Sequence, residues 1–154
     1  MIFYLLALLI GIVAGLRAMT PPALIAWAAY LGWLDLRGSW LGFLAHAWWH
    51  WILTFFAIVE LVTDQLPSTP SRTVPIQFGA RIATGALSGA AIGTAGGSMV
   101  GGLMAGIVGA VIGTFGGRAF RARLASTFRS DRPAAFIEDA VAIGGALLIG
   151  AALR

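Results

Sequence analysis

The stretch Leu44-Ala-His-Ala-Trp-Trp-His-Trp-Ile-Leu-Thr-Phe-Phe-Ala-Ile-Val-Glu-Leu-Val-Thr-Asp-Gln-Leu66 decides how this chain is read. A bilayer crossing takes about 20 predominantly apolar residues, and this run supplies them. Near its end stand Glu60 and Asp64, spaced i, i+4 on one helical face. Their position is costly twice over. Hydrocarbon disfavours the charge, and a helix C-terminus carries partial negative charge of its own. A chain keeps carboxylates there when a partner or a task requires them.

The remainder of the sequence agrees with a membrane setting. Only 10% of the 154 residues are charged and 59% are hydrophobic, against roughly 25% charged in soluble domains. Mean hydropathy is +0.90. The expected fold is an all-α, polytopic transmembrane helix bundle forming one domain, residues 1–154, with five or six membrane segments. All ten basic residues are arginine, a bias that a GC-rich genome explains. Their excess follows from the positive-inside rule, so nucleic acid is not implied. No cysteine is present, which excludes thiolate metal sites and cysteine nucleophiles. The start, Met1-Ile2-Phe3-Tyr4-Leu5, lacks the basic region of a cleaved signal peptide, so the first span is expected to be permanent.

Segments are expected at 2–19, 23–34, 44–66, 76–96, 98–117 and 133–153. The first is interrupted by Thr20-Pro21-Pro22, because proline lacks an N–H and disfavours helix at the residue before it. The stretch 23–34 is short for a crossing and reads equally as a half-helix or re-entrant segment. Pro67 to Pro75 forms a polar loop with three prolines, expected to be stiff and extended. The last span begins near Pro133, a favoured first-turn residue.

Orientation follows from charge. The loop from Arg118 to Arg132 holds five arginines and is expected in the cytoplasm, with Arg72 and the base of the Arg81 helix on the same side. Trp33, Trp40, Trp48, Trp49 and Trp51 cluster around the opposite turn, as an interfacial aromatic belt does. Six crossings place Arg17 with the other cytoplasmic arginines and leave Arg37 and Arg154 outside. Five crossings place Arg17 outside. The six-span plan is preferred and divides the chain into two triplets of opposite orientation, the plan of inverted-repeat transporters. The best internal match, Gly15-Leu-Arg-Ala-Met19 with Gly116-Gly-Arg-Ala-Phe120, pairs spans one and five instead.

Four groups of residues carry chemistry. Gly85, Gly89, Gly93, Gly97 and Gly101 recur every four residues, as do Gly109, Gly113 and Gly117, which is the small-residue spacing of close helix packing. Packing within one bundle is the plainer reading, with packing between subunits and a glycine-lined conduit as the alternatives. Glu60, Asp64, Glu138 and Asp139 are candidate coupling residues, since neighbouring carboxylates cannot all ionise without cost. For Glu138 and Asp139 the structural alternative is compensation of the dipole at a helix N-terminus. For Glu60 and Asp64 it is an ion-pair network with Arg17, Arg72, Arg81 or Arg118, the same arginines that would bind an anion. At Gly15 to Pro22 an arginine adjoins a helix break whose free N–H groups favour anions, although Arg17 could equally snorkel to the surface. His46 and His50 are four apart without a third metal ligand nearby, and read as interfacial anchors. No metal, cofactor or catalytic constellation is expected, so the chain is not read as an enzyme.

Three segments have a further significance: Gly-Leu-Arg-Ala-Met-Thr-Pro-Pro-Ala at 15–23, Glu-Leu-Val-Thr-Asp-Gln-Leu-Pro-Ser-Thr-Pro-Ser-Arg-Thr at 60–73, and Ile-Glu-Asp-Ala-Val-Ala-Ile at 137–143. Together they resemble the bacterial integral membrane family catalogued as domain of unknown function 4126. The resemblance implies a small polytopic inner-membrane protein and supplies no activity. From the residues themselves, the expectation is a small secondary transporter of an anionic or polar solute, coupled to protons or cations. The alternatives are a flippase for a phosphate-bearing lipid and a non-transporting scaffold. The expected partners are the lipid bilayer, a solute or lipid headgroup, and further copies of the chain.

Overall fold

The structure, a computed structural model, describes residues 1–65 and 73–154. Among them are six α-helices and one 3-10 segment, and no strand. The helices are α1 (Ile2–Leu16), α2 (Thr20–Tyr30), α3 (Trp49–Thr63), α4 (Pro75–Ala95), α5 (Met99–Phe128) and α6 (Asp131–Ala152). The 3-10 segment, Trp40–Ala45, lies between α2 and α3. By length and composition α5 and α6 are each sufficient to cross a membrane, and α1 and α3 are shorter apolar helices. Arg72 and most of the proline-rich loop expected at 67–75 lie outside the described residues.

Three boundaries differ from the sequence expectation. The first break falls at Arg17–Met19, ahead of the proline pair, and Thr20, Pro21 and Pro22 form the first turn of α2. Proline fits there because the first N–H groups of a helix lack intrahelical partners anyway. The span expected from Leu44 is helical only from Trp49. Before it, Leu41 and Leu44 are buried three residues apart, matching the 3-10 period, and the backbone at His46 is extended. Finally, α5 does not stop at Gly117. It continues to Phe128 through Arg118, Arg121 and Arg123, with no proline to end it, and terminates where Arg129 turns left-handed at φ 51°. Most of the expected arginine loop is therefore helix.

The core is a three-helix block sealed by glycine. α4 and α5 form an antiparallel hairpin about Gly96-Gly97-Ser98, where Gly97 adopts φ +83° and Ser98 caps α5 by accepting from the Gly101 N–H at 3.2 Å. Along the hairpin the seam pairs Gly85 with Gly106 and Gly93 with Gly102. A Cβ at Gly85 would stand 2.9 Å from the Gly106 carbonyl oxygen, and one at Gly93 would stand 2.5 Å from that of Ser98. α1 lies in the hairpin's groove and runs parallel to α5, with Gly11 against Gly106 and Gly15 against Gly113. Such contacts exist only where side chains are absent, and they let the helix backbones approach closely. Gly79, Gly116 and Gly144 face open space and take no part.

α6 packs on α5 and α1, α2 packs on α4 and α6, and α3 packs outside α2. The six helices alternate in direction. Consequently the C-terminal ends of α1, α3 and α5 meet the N-terminal ends of α2, α4 and α6 at one end of the bundle. At the other end, the guanidinium of Arg154 lies 5.1 Å from the Trp33 ring, a cation–π distance.

Candidate functional site

The break between α1 and α2 leaves unpaired carbonyls on one side and unpaired N–H groups on the other. Charged residues from distant helices satisfy both. From α4, the buried Arg81 Nη1 donates to the carbonyl oxygens of Gly15 at 2.9 Å and Leu16 at 2.7 Å. From α3, the Glu60 carboxylate accepts the Ala18 N–H on Oε1 at 2.7 Å and the Met19 N–H on Oε2 at 2.8 Å. A cation thus meets the negative end of α1 and an anion the positive end of α2, each with the sign that the helix dipole favours. Glu60 is the N-terminal cap of a helix forty residues before it in the chain.

Between these two caps the side chain of Arg17 is completely enclosed. Its Nε donates to Asp139 Oδ1 at 2.5 Å, its Nη2 pairs with the same carboxylate, and its Nη1 pairs with Asp64. Arg17 therefore ties α3 to α6 through two carboxylates. Asp139 also accepts from Gln65 Nε2 at 2.8 Å, and Arg81 Nη2 stands 4.0 Å from Asp64. Beside this group, the buried Glu138 lies 3.5 Å from Arg121 Nη1. Arg121 in turn donates to Asp131 at 2.9 and 2.5 Å.

All four carboxylates singled out in the sequence converge on this junction. Arg17 and Arg81 join them, whereas Arg118 is exposed on α5 and stands apart. Arg121, one turn further on, occupies the position expected of it. Arg121 and Gln65 were the residues that sequence reasoning missed. Arg121 follows once α5 is continued past Gly117, since i and i+4 share a face and Gly113 and Gly117 lie on the buried one. Gln65 had no signal beyond its place next to Asp64. Among the described residues, Asp64, Asp139, Glu138 and Asp131 thus face the guanidinium groups of Arg17, Arg81 and Arg121, and Glu60 faces backbone N–H groups.

Arg17 is neither at the surface nor exposed to lipid, and the free N–H groups of the break are occupied by Glu60. Among the described residues the carboxylates around Arg17 already pair with it, so that an arriving anion would have to displace an internal carboxylate. His50, buried at the other end of α3, has ring centroids of Trp27 and Tyr30 each 4.2 Å from its own. His46 is exposed and takes no part in that stack.

An all-helical bundle with an apolar surface and a buried ionic junction at a broken helix defines a class of architecture, not an activity. Residues 4–152 match the family described as a domain of unknown function, number 4126, and the chain belongs to that family. No curated protein and no solved structure matches the chain.

Proposed function

We propose that the protein is a small secondary transporter of an anionic or polar solute, coupled to protons, with the Arg17 junction as its switching element. One observation carries the reading: a completely buried arginine at a helix break pairs with carboxylates from two different helices. Protonating Asp64 or Asp139 removes a negative charge from Arg17 and frees donors of its guanidinium for an incoming anion. Proton and anion would then occupy the junction together, which is the logic of symport. The fork geometry of arginine suits a carboxylate or phosphate oxygen pair.

The apolar surface supports a membrane setting. Phe55, Ile58, Val108 and Leu148 are among many large side chains that would otherwise face water. The reading places the chain as a multi-pass protein of the bacterial inner membrane, crossing five or six times, with the arginine-bearing end in the cytoplasm. α5 is about 45 Å long by its rise, so its arginine-rich last turns extend beyond a hydrocarbon core of roughly 30 Å. A homo-oligomer is expected, since so small a bundle offers few walls for a complete pathway.

A scaffold reading is favoured by a different observation, the mutual compensation of the charges. A flippase draws less support, because Arg17 is enclosed where a headgroup would need it open. The readings separate in proteoliposomes loaded with a pH-sensitive dye and challenged with inward gradients of chloride, phosphate or succinate. The transport reading expects internal acidification with at least one of these anions. Intact, folded protein that moves no protons with any of them supports the scaffold.

A further inference from the structure

Below the junction that Arg17 clamps, α3 and α6 scarcely touch. Between them, with α2 as floor, runs a groove of about 270 Å³ lined by Leu24, Trp27, Ala57, Ile58, Ile143 and Leu147 among others. Its polar groups are few and largely engaged. The Thr54 hydroxyl donates to the His50 carbonyl at 2.6 Å and accepts from Trp27 Nε1 at 3.0 Å. Water has little to bind there, and apolar cavities of this kind stay dry. The flanking faces of α3 and α6 expose Phe55, Val62 and Leu148, so the groove opens sideways among apolar side chains.

The α6 wall has a charged end. Followed from Leu147 and Ile143 toward the helix N-terminus, the same face continues through exposed Phe136 to exposed Arg132. From Ile143 to Arg132 is about three turns, or about 16 Å along the axis. That is close to half the ~30 Å thickness of the hydrocarbon core, the depth of one leaflet. The trough itself ends at Ile143, and Arg132 stands one leaflet's depth further along the outer face of α6, past the ionic junction at Asp139. An apolar trough with an exposed guanidinium at that depth is complementary in both polarity and charge to a phospholipid.

We propose that this groove holds an acyl chain of a resident anionic phospholipid whose phosphate lies against Arg132. The lipid is a bound partner and not cargo, filling the space between the two helices that Arg17 ties at one end. The inference rests on the membrane-embedded reading of the chain and is independent of whether the protein transports anything.

The test uses the full-length protein in mild detergent with phosphatidylglycerol carrying a photoreactive group at the methyl end of one acyl chain, followed by peptide mapping. Labelling is expected to concentrate on Ile58, Leu61, Ile143 and Leu147, well above the equally apolar and exposed Met104 and Val108 on α5. Arg132→Gln should weaken labelling about fivefold, the weight of one arginine near an anionic headgroup, while Arg123→Gln leaves it unchanged. Ala146→Phe should block it by filling the trough. Even labelling around the whole surface overturns the proposal, as does indifference to Arg132→Gln, or crosslinking of the groove to a second copy of the chain. Recovery of the protein in the soluble fraction of cells would instead sink the membrane reading itself.

Discussion

Replacing Arg17 by methionine should cost about 3–5 kcal/mol, the usual penalty for removing one partner of a buried ion pair. Methionine is long and apolar enough to fill much of the arginine's space, so the loss is chiefly one of charge. The side chains of Asp64 and Asp139 are 14% and 12% exposed, and Arg17 is wholly buried between them. Without it, two carboxylates face each other with little water to screen them. Gln65 and Arg81 soften the loss, the first by its bond to Asp139 and the second at 4.0 Å from Asp64. At about 2–4 °C per kcal/mol for a chain of this size, the melting midpoint in detergent should fall by roughly 6–20 °C. Adding Asp64→Asn and Asp139→Asn to the same chain removes the stranded charges and should restore most of the midpoint. A shift of a degree or two for Arg17→Met alone, or no recovery in the triple variant, would refute the claim that charge compensation holds this end together.

Other consequences are separable. Gly106→Ala drives a methyl into the Gly85 carbonyl and the Gly89 backbone, and should destabilise by about 1–3 kcal/mol or more in thermal melts. Gly116→Ala, with nothing near its Cβ, should stabilise α5 by roughly 0.5–1 kcal/mol. Arg121→Gln weakens the pairing of buried Glu138 and should cost about 1–3 kcal/mol, whereas exposed Arg118→Gln should stay within about 0.5 kcal/mol of the parent. In the turn after α2, the Arg37 backbone N–H, then its guanidinium, hold the Asp35 carboxyl below its ordinary value of 3.8. Because the folded value is the lower one, this contribution is present above pH 3.8 and disappears as acid takes the pH through the folded value. Carboxyl NMR of Asp35 should show that depressed midpoint, and Arg37→Gln should return it toward 3.8.

Much of this architecture is legible in the residues. Pro21 and Pro22 announce the first break, and the four-residue glycine rhythm of α4 marks the seam that closes on α5. The cost of burying Glu60, Asp64 and Glu138/Asp139 in an apolar chain points to a shared destination, and the acids do meet. Less could be read where partners come from far away. Nothing local identifies Glu60 as the cap of α2, or Arg81 as the cap of α1, because the groups they bond lie 41 to 66 residues away along the chain. The extent of α5 was hidden by its arginines. A cluster of charge reads as a loop, yet alanine, arginine and leucine are good helix formers, so the helix runs on until Arg129. Position along α5 then decides which arginine matters, with Arg121 turned inward and Arg118 outward.

The most direct test of the switching role is Asp64→Asn in the dye-loaded proteoliposomes, read as anion-driven acidification across external pH 5 to 8. Asparagine keeps the size of aspartate but cannot carry the charge that competes for Arg17. The account predicts wild-type flux that rises as the medium is acidified and a folded Asp64→Asn protein whose anion flux no longer responds to pH. A variant with wild-type pH dependence would contradict it.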